Sequence, residues 1–347
     1  MRIGLAPRVD NLTHSLFAVT LSRTALRRAG PGTTAALIVS SNAPDLDIAL
    51  ALSGGALEYL AGHRGATHGA LGMVAAGLAV ASGVRLLTRG ARLPALAAVS
   101  ILGSLLHVLM DFPTSYGTRL LSPWSARWFA VDLLPIIDVY LWAVLLAGVT
   151  MMLAWRRRSA PIATVVLLLM GADYAGRIVA HEIALARARH LEPPQSPECA
   201  RRTLASWLNA EPGRTPPRER CLAALPTFTS PFRWRIVRRL PGAYELRDLH
   251  LFGAVMDPPV RFTDEDSVWV ERAKAARTAR VFLDFARFPA ASVTREPSGR
   301  VVVRWRDVRF AGGITRLGRG EGQPRVSFAA SVRLERDGRI IDQWLGE

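Results

Sequence analysis

Apolar residues run in long stretches through the first half of the chain and alternate with polar ones through much of the second. Residues 69–87, 93–110, 129–155 and 162–185 approach or reach the length of a helix crossing about 30 Å of hydrocarbon, at about 1.5 Å per residue. Two shorter segments, 12–28 and 33–43, precede them. They meet at Arg27-Arg28-Ala29-Gly30-Pro31-Gly32 and read as a helical hairpin. Asn42-Ala43-Pro44-Asp45 closes the second, since proline biases the residue before it away from helix. Residues 190–226 are rich in Pro, Glu and Arg and read as a linker with a short helix near 201–209. Beyond it, 233–240, 243–249, 280–285, 301–310, 325–334 and 340–345 alternate in the manner of strands, with turn signals at Pro241-Gly242, Pro297-Ser298-Gly299 and Asp337-Gly338. Residues 264–277 look helical. The expected fold is an α-helical polytopic membrane domain of about six helices, some short, followed by a small soluble α+β, mostly antiparallel β domain. The expected division is 1–189, a linker at 190–226, and an accessory domain at 227–347.

Composition strengthens the membrane reading. Half of the 347 residues (50%) are hydrophobic, which is too many for a disordered chain or a nucleic-acid-binding tail. The net charge is +16, and it is the charged residues themselves that are divided unevenly: residues 1–189 hold only nine acids and 17 basic residues, the shorter remainder 19 and 27. Lys274 is the only lysine, a coding bias, and no nucleic-acid partner is read from the charge. Asp10, Asn11 and His14 stand where the apolar core of a signal peptide would be, so no cleavable signal is expected. Arg23, Arg27 and Arg28, then Arg85, Arg89 and Arg92, then Arg156, Arg157 and Arg158 all fall on one side of a six-helix arrangement. The positive-inside rule makes that side the cytoplasm. The expected location is the bacterial inner membrane, with the C-terminal domain periplasmic. There Cys199 and Cys221, the only cysteines, could pair.

Ionisable groups are costly in membrane segments, so those present are functional candidates. Asp10 and His14 begin the first helix, Asp45 and Asp47 follow the second, His63 and His68 precede the third, and His107 and Asp111 end the fourth. All lie at the outer ends of helices, where four sequence-distant groups converge. Imidazoles and carboxylates suit a divalent metal, zinc first, with iron or manganese as alternatives, and His107 and Asp111 at i, i+4 can address one ion. Such an ion would activate water for hydrolysis, and the carboxylates left over would serve either as a general base or to orient the ligand imidazoles, two roles the sequence does not assign. Arg64, between candidate ligands, suits a phosphate, or else pairs with Asp45 or Asp47 to hold the loop. Packing accounts better for His181, His190 and His250, and interhelical bonding accounts for Asp132 and Asp138 as well as catalysis does. Trp124 and Trp128 fit an interfacial belt, and Trp234, Trp269, Trp305 and Trp344 a core. The competing function is a proton- or ion-coupled transporter, or a scaffold with a structural metal. The groups sit at helix ends and no inverted repeat is visible, which favours the hydrolase.

Asp10-Asn11-Leu12-Thr13-His14-Ser15, Pro44-Asp45-Leu46-Asp47, His63-Arg64-Gly65-Ala66-Thr67-His68 and His107-Val108-Leu109-Met110-Asp111, followed by Thr114, Gly117 and Pro123, resemble the bacterial membrane-bound metal-dependent hydrolases of the YdjM type. The resemblance covers residues 8–155 and is most specific in the HRGxTH and HxxxD elements. It implies a metal site formed by His14, Asp45, Asp47, His63, His68, His107 and Asp111; by their own chemistry, Asp45, Arg64 and Asp47 are the catalytic candidates. Gly69 stands where the motif carries serine, which removes a hydroxyl but no ligand. The resemblance implies hydrolysis without naming a substrate. A site at headgroup depth favours a lipid or lipid-linked phosphoester, with a soluble substrate approaching from outside as the alternative.

Overall fold

A computed structural model of the chain describes residues 10–191, 221–253, 257–311 and 328–346. The chain divides into two compact units, one from the described residues of Pro7–Ala49 and Gly62–Val179, the other from those of Leu50–Ala61 and Ala180–Glu347.

The first unit is helical. Helix α1 (Asn11–Ser22) starts where the Asp10 carboxylate accepts from the Thr13 amide. A 3-10 turn (Ala25–Ala29) leads to α2 (Thr33–Ser40), and a second 3-10 segment (Ala43–Ala49) ends this unit's first stretch, before α3 (Leu50–Gly62), which belongs to the other unit up to Ala61. Helices α4 (Ala70–Leu87) and α5 (Leu93–Asp111) form an extensively packed pair. A Cβ on Gly77 would meet the Ile101 backbone at 2.7 Å, and one on Gly103 would meet Ser40 Oγ at 2.1 Å, so glycine lets α5 approach both α4 and α2. Helix α6 (Val139–Ala154) and α7 (Ser159–Leu191) flank the turn Arg156–Arg158. Among the described residues three helices, Ala70–Leu87, Leu93–Asp111 and Arg156–Leu191, are long and apolar enough to cross a membrane. The bent pair Thr33–Ser40 and Ala43–Gly62 makes a fourth crossing if it is one span.

Two expectations change in this half. The described residues up to Leu191 hold seven α-helices, because 50–62, expected as loop, is helical. Its Ser53-Gly54-Gly55 imitates a turn, and Gly55 does break the helical conformation (φ 72°) without ending the element. The expected fifth span, 129–155, is helical only from Val139. Pro135 turns Leu134 away from helix, and Leu133 and Leu134 donate to the Pro113 carbonyl at 2.8 and 3.2 Å, so 129–138 is an extended, buried loop. Its apolar character reflects burial in protein.

The second unit carries two four-stranded antiparallel sheets, ordered β1-β2-β3-β4 and β5-β6-β7-β8. The first comprises β1 (Leu222–Pro226), β2 (Arg233–Leu240), β3 (Ala243–His250) and β4 (Val260–Thr263). After α8 (Val268–Ala273) and α9 (Arg277–Phe285) come β5 (Pro289–Arg295), β6 (Val301–Asp307), β7 (Ala329–Leu334) and β8 (Ile340–Leu345). Val237, Leu246, Phe262, Phe288 and Ala290 share one core. A second core joins Ala180, Ala184 and Ala188 of α7 to Trp234, Ile236 and Leu249. Residues 280–285, expected as a strand, belong to α9. Thr278, Ala279, Phe282 and Phe285 are its buried residues, a helical stripe that outweighs the local alternation. The expected helix 264–277 shortens to α8, capped by Ser267, and Asp264 instead accepts from the Ala291 amide. β1 lies at the end of the stretch read as linker, while the helix expected at 201–209 falls outside the described residues. Cys221 is disulfide-bonded; Cys199 also lies outside the described residues.

Candidate metal centre

The side chains that come together are carried by α1, the 3-10 segment after α2, the loop before α4 and the last turn of α5. In Ala43–Ala49 the carboxylates of Asp45 and Asp47 are buried while Leu46 and Ile48 are exposed, so the short segment turns its acids inward. The following loop is shaped around Asp47. Its carboxylate accepts from His63 Nδ1 at 2.9 Å, from the Arg64 amide at 2.8 Å and from Thr67 Oγ1 at 3.2 Å. Arg64 adopts a left-handed conformation (φ 53°), unusual outside glycine and compatible with local strain held by its surroundings.

Four donor atoms then converge: Asp45, His68, His107 and Asp111 each offer one, all within 4.8 Å of one another and all buried. His107 Nε2 lies 3.2 Å from His68 Nε2, 3.6 Å from Asp45 Oδ1 and 3.5 Å from Asp111 Oδ2. His68 Nε2 lies 3.8 Å from Asp45 Oδ1 and 3.6 Å from Asp111 Oδ2. A tetrahedral ion with bonds of about 2.0–2.2 Å sets its ligand atoms about 3.4 Å apart, so these spacings fit one cation.

The protons of the two rings decide whether the set can accept a cation. His107 Nδ1 faces the Ser41 carbonyl at 2.7 Å, which can only accept, so in the neutral ring Nδ1 carries the hydrogen and Nε2 is bare. Thr67 Oγ1 gives its one proton to Asp47 and therefore accepts from His68 Nδ1 at 3.0 Å, which leaves His68 Nε2 bare as well. Two lone pairs thus face each other with two carboxylate oxygens alongside. Both oxygens of Asp45 are buried without a hydrogen-bond partner. Leaving them so is costly unless a cation satisfies them. Within this group three carboxylates, Asp45, Asp47 and Asp111, meet one guanidinium, Arg64, an imbalance of two negative charges that a divalent ion offsets. Arg64 Nη2 pairs with Asp111 Oδ2 at 2.8 Å. Its Nη1 donates to the Gly117 carbonyl at 3.1 Å, and the guanidinium lies over Tyr116.

The other sequence-predicted residues stand around the four. His14 stacks on His107, ring centroids 4.0 Å apart, with Nε2 3.6 Å from Asp111 Oδ1. Asp47 and His63 bond to each other and reach the four through Thr67. Asp10 is the cap of α1 and accepts from Trp142 Nε1 at 3.1 Å. Burial pushes its carboxyl up, against hydrogen bonds from Thr13 and the charge of His14. Burial likewise lowers the His63 pKa, opposed by the Asp47 bond and reinforced by Arg64. Asp138 caps α6 and bonds Arg177 of α7. His181 packs on Trp234. Trp234 and Trp305 are core residues, whereas Trp269 and Trp344 are partly exposed under Arg272 and Arg333. Trp124 is exposed, and Trp128 packs against Arg119 and Tyr116. Sequence reasoning passed over Thr67 and the Ser41 carbonyl, which set the two ring tautomers. A hydroxyl directly before His68 was the available signal for the first, and a backbone carbonyl gives none. Gly69 also acquires a reason: a Cβ there would lie 2.0 Å from the Ser122 carbonyl oxygen, so the chain packs where the motif's serine would stand.

Comparison with known proteins places these observations. Residues 9–184 match the family described as YdjM inner membrane protein, a range that contains all seven residues implied as ligands. An uncharacterized protein, YfhP of Bacillus subtilis (strain 168), is 27% identical over 136 residues, which cover 39% of this chain and 41% of that protein, under half the length of each. No solved structure matches the chain.

Proposed function

The chain belongs to the YdjM inner membrane protein family, and from that premise we propose that it is a metal-dependent hydrolase whose centre is built on Asp45, His68, His107 and Asp111. The observation that carries this reading is the pair of bare Nε2 atoms 3.2 Å apart, flanked by two carboxylates. Packing gives no reason to oppose two lone pairs in a buried site. Asp45, His68, His107 and Asp111 would hold a divalent cation, zinc by donor type, which when bound would supply Lewis acidity toward a phosphoryl or carbonyl oxygen and toward water. The protein's own groups do the rest. Thr67 and Ser41 fix the rings, and Asp47 with His63 holds the loop that carries His68. His14 supports Asp111 and His107 from the α1 side. Asp45, with a second oxygen unclaimed, is placed to take a proton, with Asp47 behind it. Arg64 offsets Asp111 and offers a fork to an anionic substrate.

A lipid or lipid-linked phosphoester is the substrate class this reading favours. Leu46 and Ile48 are 69% and 42% exposed on the same short segment that buries Asp45 and Asp47. The wall of the site is thus an apolar surface fit for the bilayer interface. Residues 1–189 form the catalytic membrane domain in this reading, joined through 190–226 to an accessory periplasmic domain at 227–347.

The test is metal content by mass spectrometry of detergent-purified protein, wild type against His107→Ala and Asp111→Ala, with size exclusion to monitor folding. Stoichiometric metal in wild type, lost from folded variants together with hydrolysis of lipid phosphoesters, is the expected result. Metal-free wild type prepared without chelators would overturn it. Variants that lose metal and no longer fold would shift the reading to a structural ion.

A further inference from the structure

Helices α6 and α7 leave a groove at the end of the first unit that carries the arginine turn. Ala143, Ala147 and Met151 line one wall at intervals of four. Pro161, Val165 and Leu169 line the other at the same interval, and Arg158 closes one end. The volume is about 540 Å³. The two helices touch at the floor, where a Cβ on Gly148 would meet Val166 Cγ2 at 2.3 Å, and the walls diverge from there. From Ala143 to Met151 on one wall and from Pro161 to Leu169 on the other, the groove runs about 12 Å at about 1.5 Å per residue, within one leaflet of a core about 30 Å thick. Arg158 is the one charged lining residue, and Arg156 and Arg157 are exposed beside it. Trp155 is 56% exposed at the same level, where an indole sits at a membrane interface.

We propose that this groove binds one anionic phospholipid, its acyl chain lying between α6 and α7 and its phosphate on the guanidinium of Arg158. The charge chooses the occupant. A second copy inserted in the same orientation would bring its own three arginines to the same depth, and like charges would repel. A zwitterionic lipid carries an ammonium that offsets its phosphate, whereas phosphatidylglycerol leaves the phosphate free for a guanidinium. The site lies toward the opposite end of α6 from Asp138 and the loop packed on Asp111 to Thr114, and it is independent of the hydrolase reading.

Native mass spectrometry of the full chain tests it, with purified protein loaded from micelles containing phosphatidylglycerol or phosphatidylethanolamine. One phosphatidylglycerol per chain is expected, retained about tenfold better than phosphatidylethanolamine, the equivalent of one charge-assisted contact. Arg158→Gln should erase the preference. Ala147→Trp, or Val165→Phe should the first variant aggregate, should fill the groove and abolish retention while metal content is unchanged. Equal retention of the two lipids by wild type would overturn the proposal. So would retention unaffected by the groove-filling variants, or a dimer that those variants dissociate without any bound lipid.

Discussion

Thr67 holds the most informative position at the residue scale, because it touches no ligand atom of the four yet sets the proton of one. Replacing it with valine keeps shape and removes the acceptor for His68 Nδ1. Thr67→Val should therefore weaken metal affinity about 10–100-fold, the usual loss when a group orienting a metal-bound histidine is removed, with helix content unchanged by circular dichroism. A chelator competition titration reads it. Glu245 gives a second prediction at this scale. Burial by itself raises the pKa of this carboxyl, but Arg261, Arg238 and Arg247 surround it and hold it below the ordinary glutamate value. A group lowered in the folded state contributes stability above its unfolded pKa of about 4.3 and loses that contribution as the pH falls through the folded value. Glu245→Gln should cost about 2 kcal/mol at pH 7, and the difference from wild type should shrink in acid below pH about 4. Thermal unfolding followed by tryptophan fluorescence across pH checks both limbs.

Among the elements, α5 governs the geometry of the centre, since it carries His107 and Asp111 and must lie close to α2 for the Ser41 carbonyl to reach the ring. Gly103 permits that approach. Gly103→Val should force the two helices apart, cost about 1–3 kcal/mol and reduce bound metal, whereas Gly83→Ala, which meets nothing within 4 Å, should leave both unchanged. Melting temperature and metal stoichiometry measured together distinguish the two. The same scale shows what could be read in advance. The His and Asp motifs were legible because each falls beside a change from apolar helix to polar turn, and the long helices announce themselves by length. Strands β2, β3 and β8 were visible in their alternation. Helix α3 was not, because Gly54-Gly55 carries the signature of a turn. The loop 129–138 was not, because burial in protein and burial in lipid select the same side chains. Residues 280–285 satisfy both a strand and a helix period over six positions, and only the longer stripe from Thr278 to Phe285 decides. That Asp45, His68, His107 and Asp111 converge while His14, Asp47 and His63 stand around them is a matter of distances, which a list of motifs does not contain.

For the whole molecule, the arginine turns, the family and the bonded Cys221 together set an expectation for sidedness. A cysteine introduced at exposed Arg157 should resist a membrane-impermeant maleimide in intact spheroplasts, and one at exposed Arg336 should react. Labelling in the opposite sense would place the β domain in the cytoplasm. The closeness of Gly69 to Ser122 reaches further, into ancestry. A serine at position 69 cannot share space with the Ser122 carbonyl while the loop from Arg119 to Ser125 keeps its path, so the residue and the loop constrain each other. Lineages that keep the serine should carry a differently shaped loop there, and in those with glycine, reversion should fail unless the loop changes first.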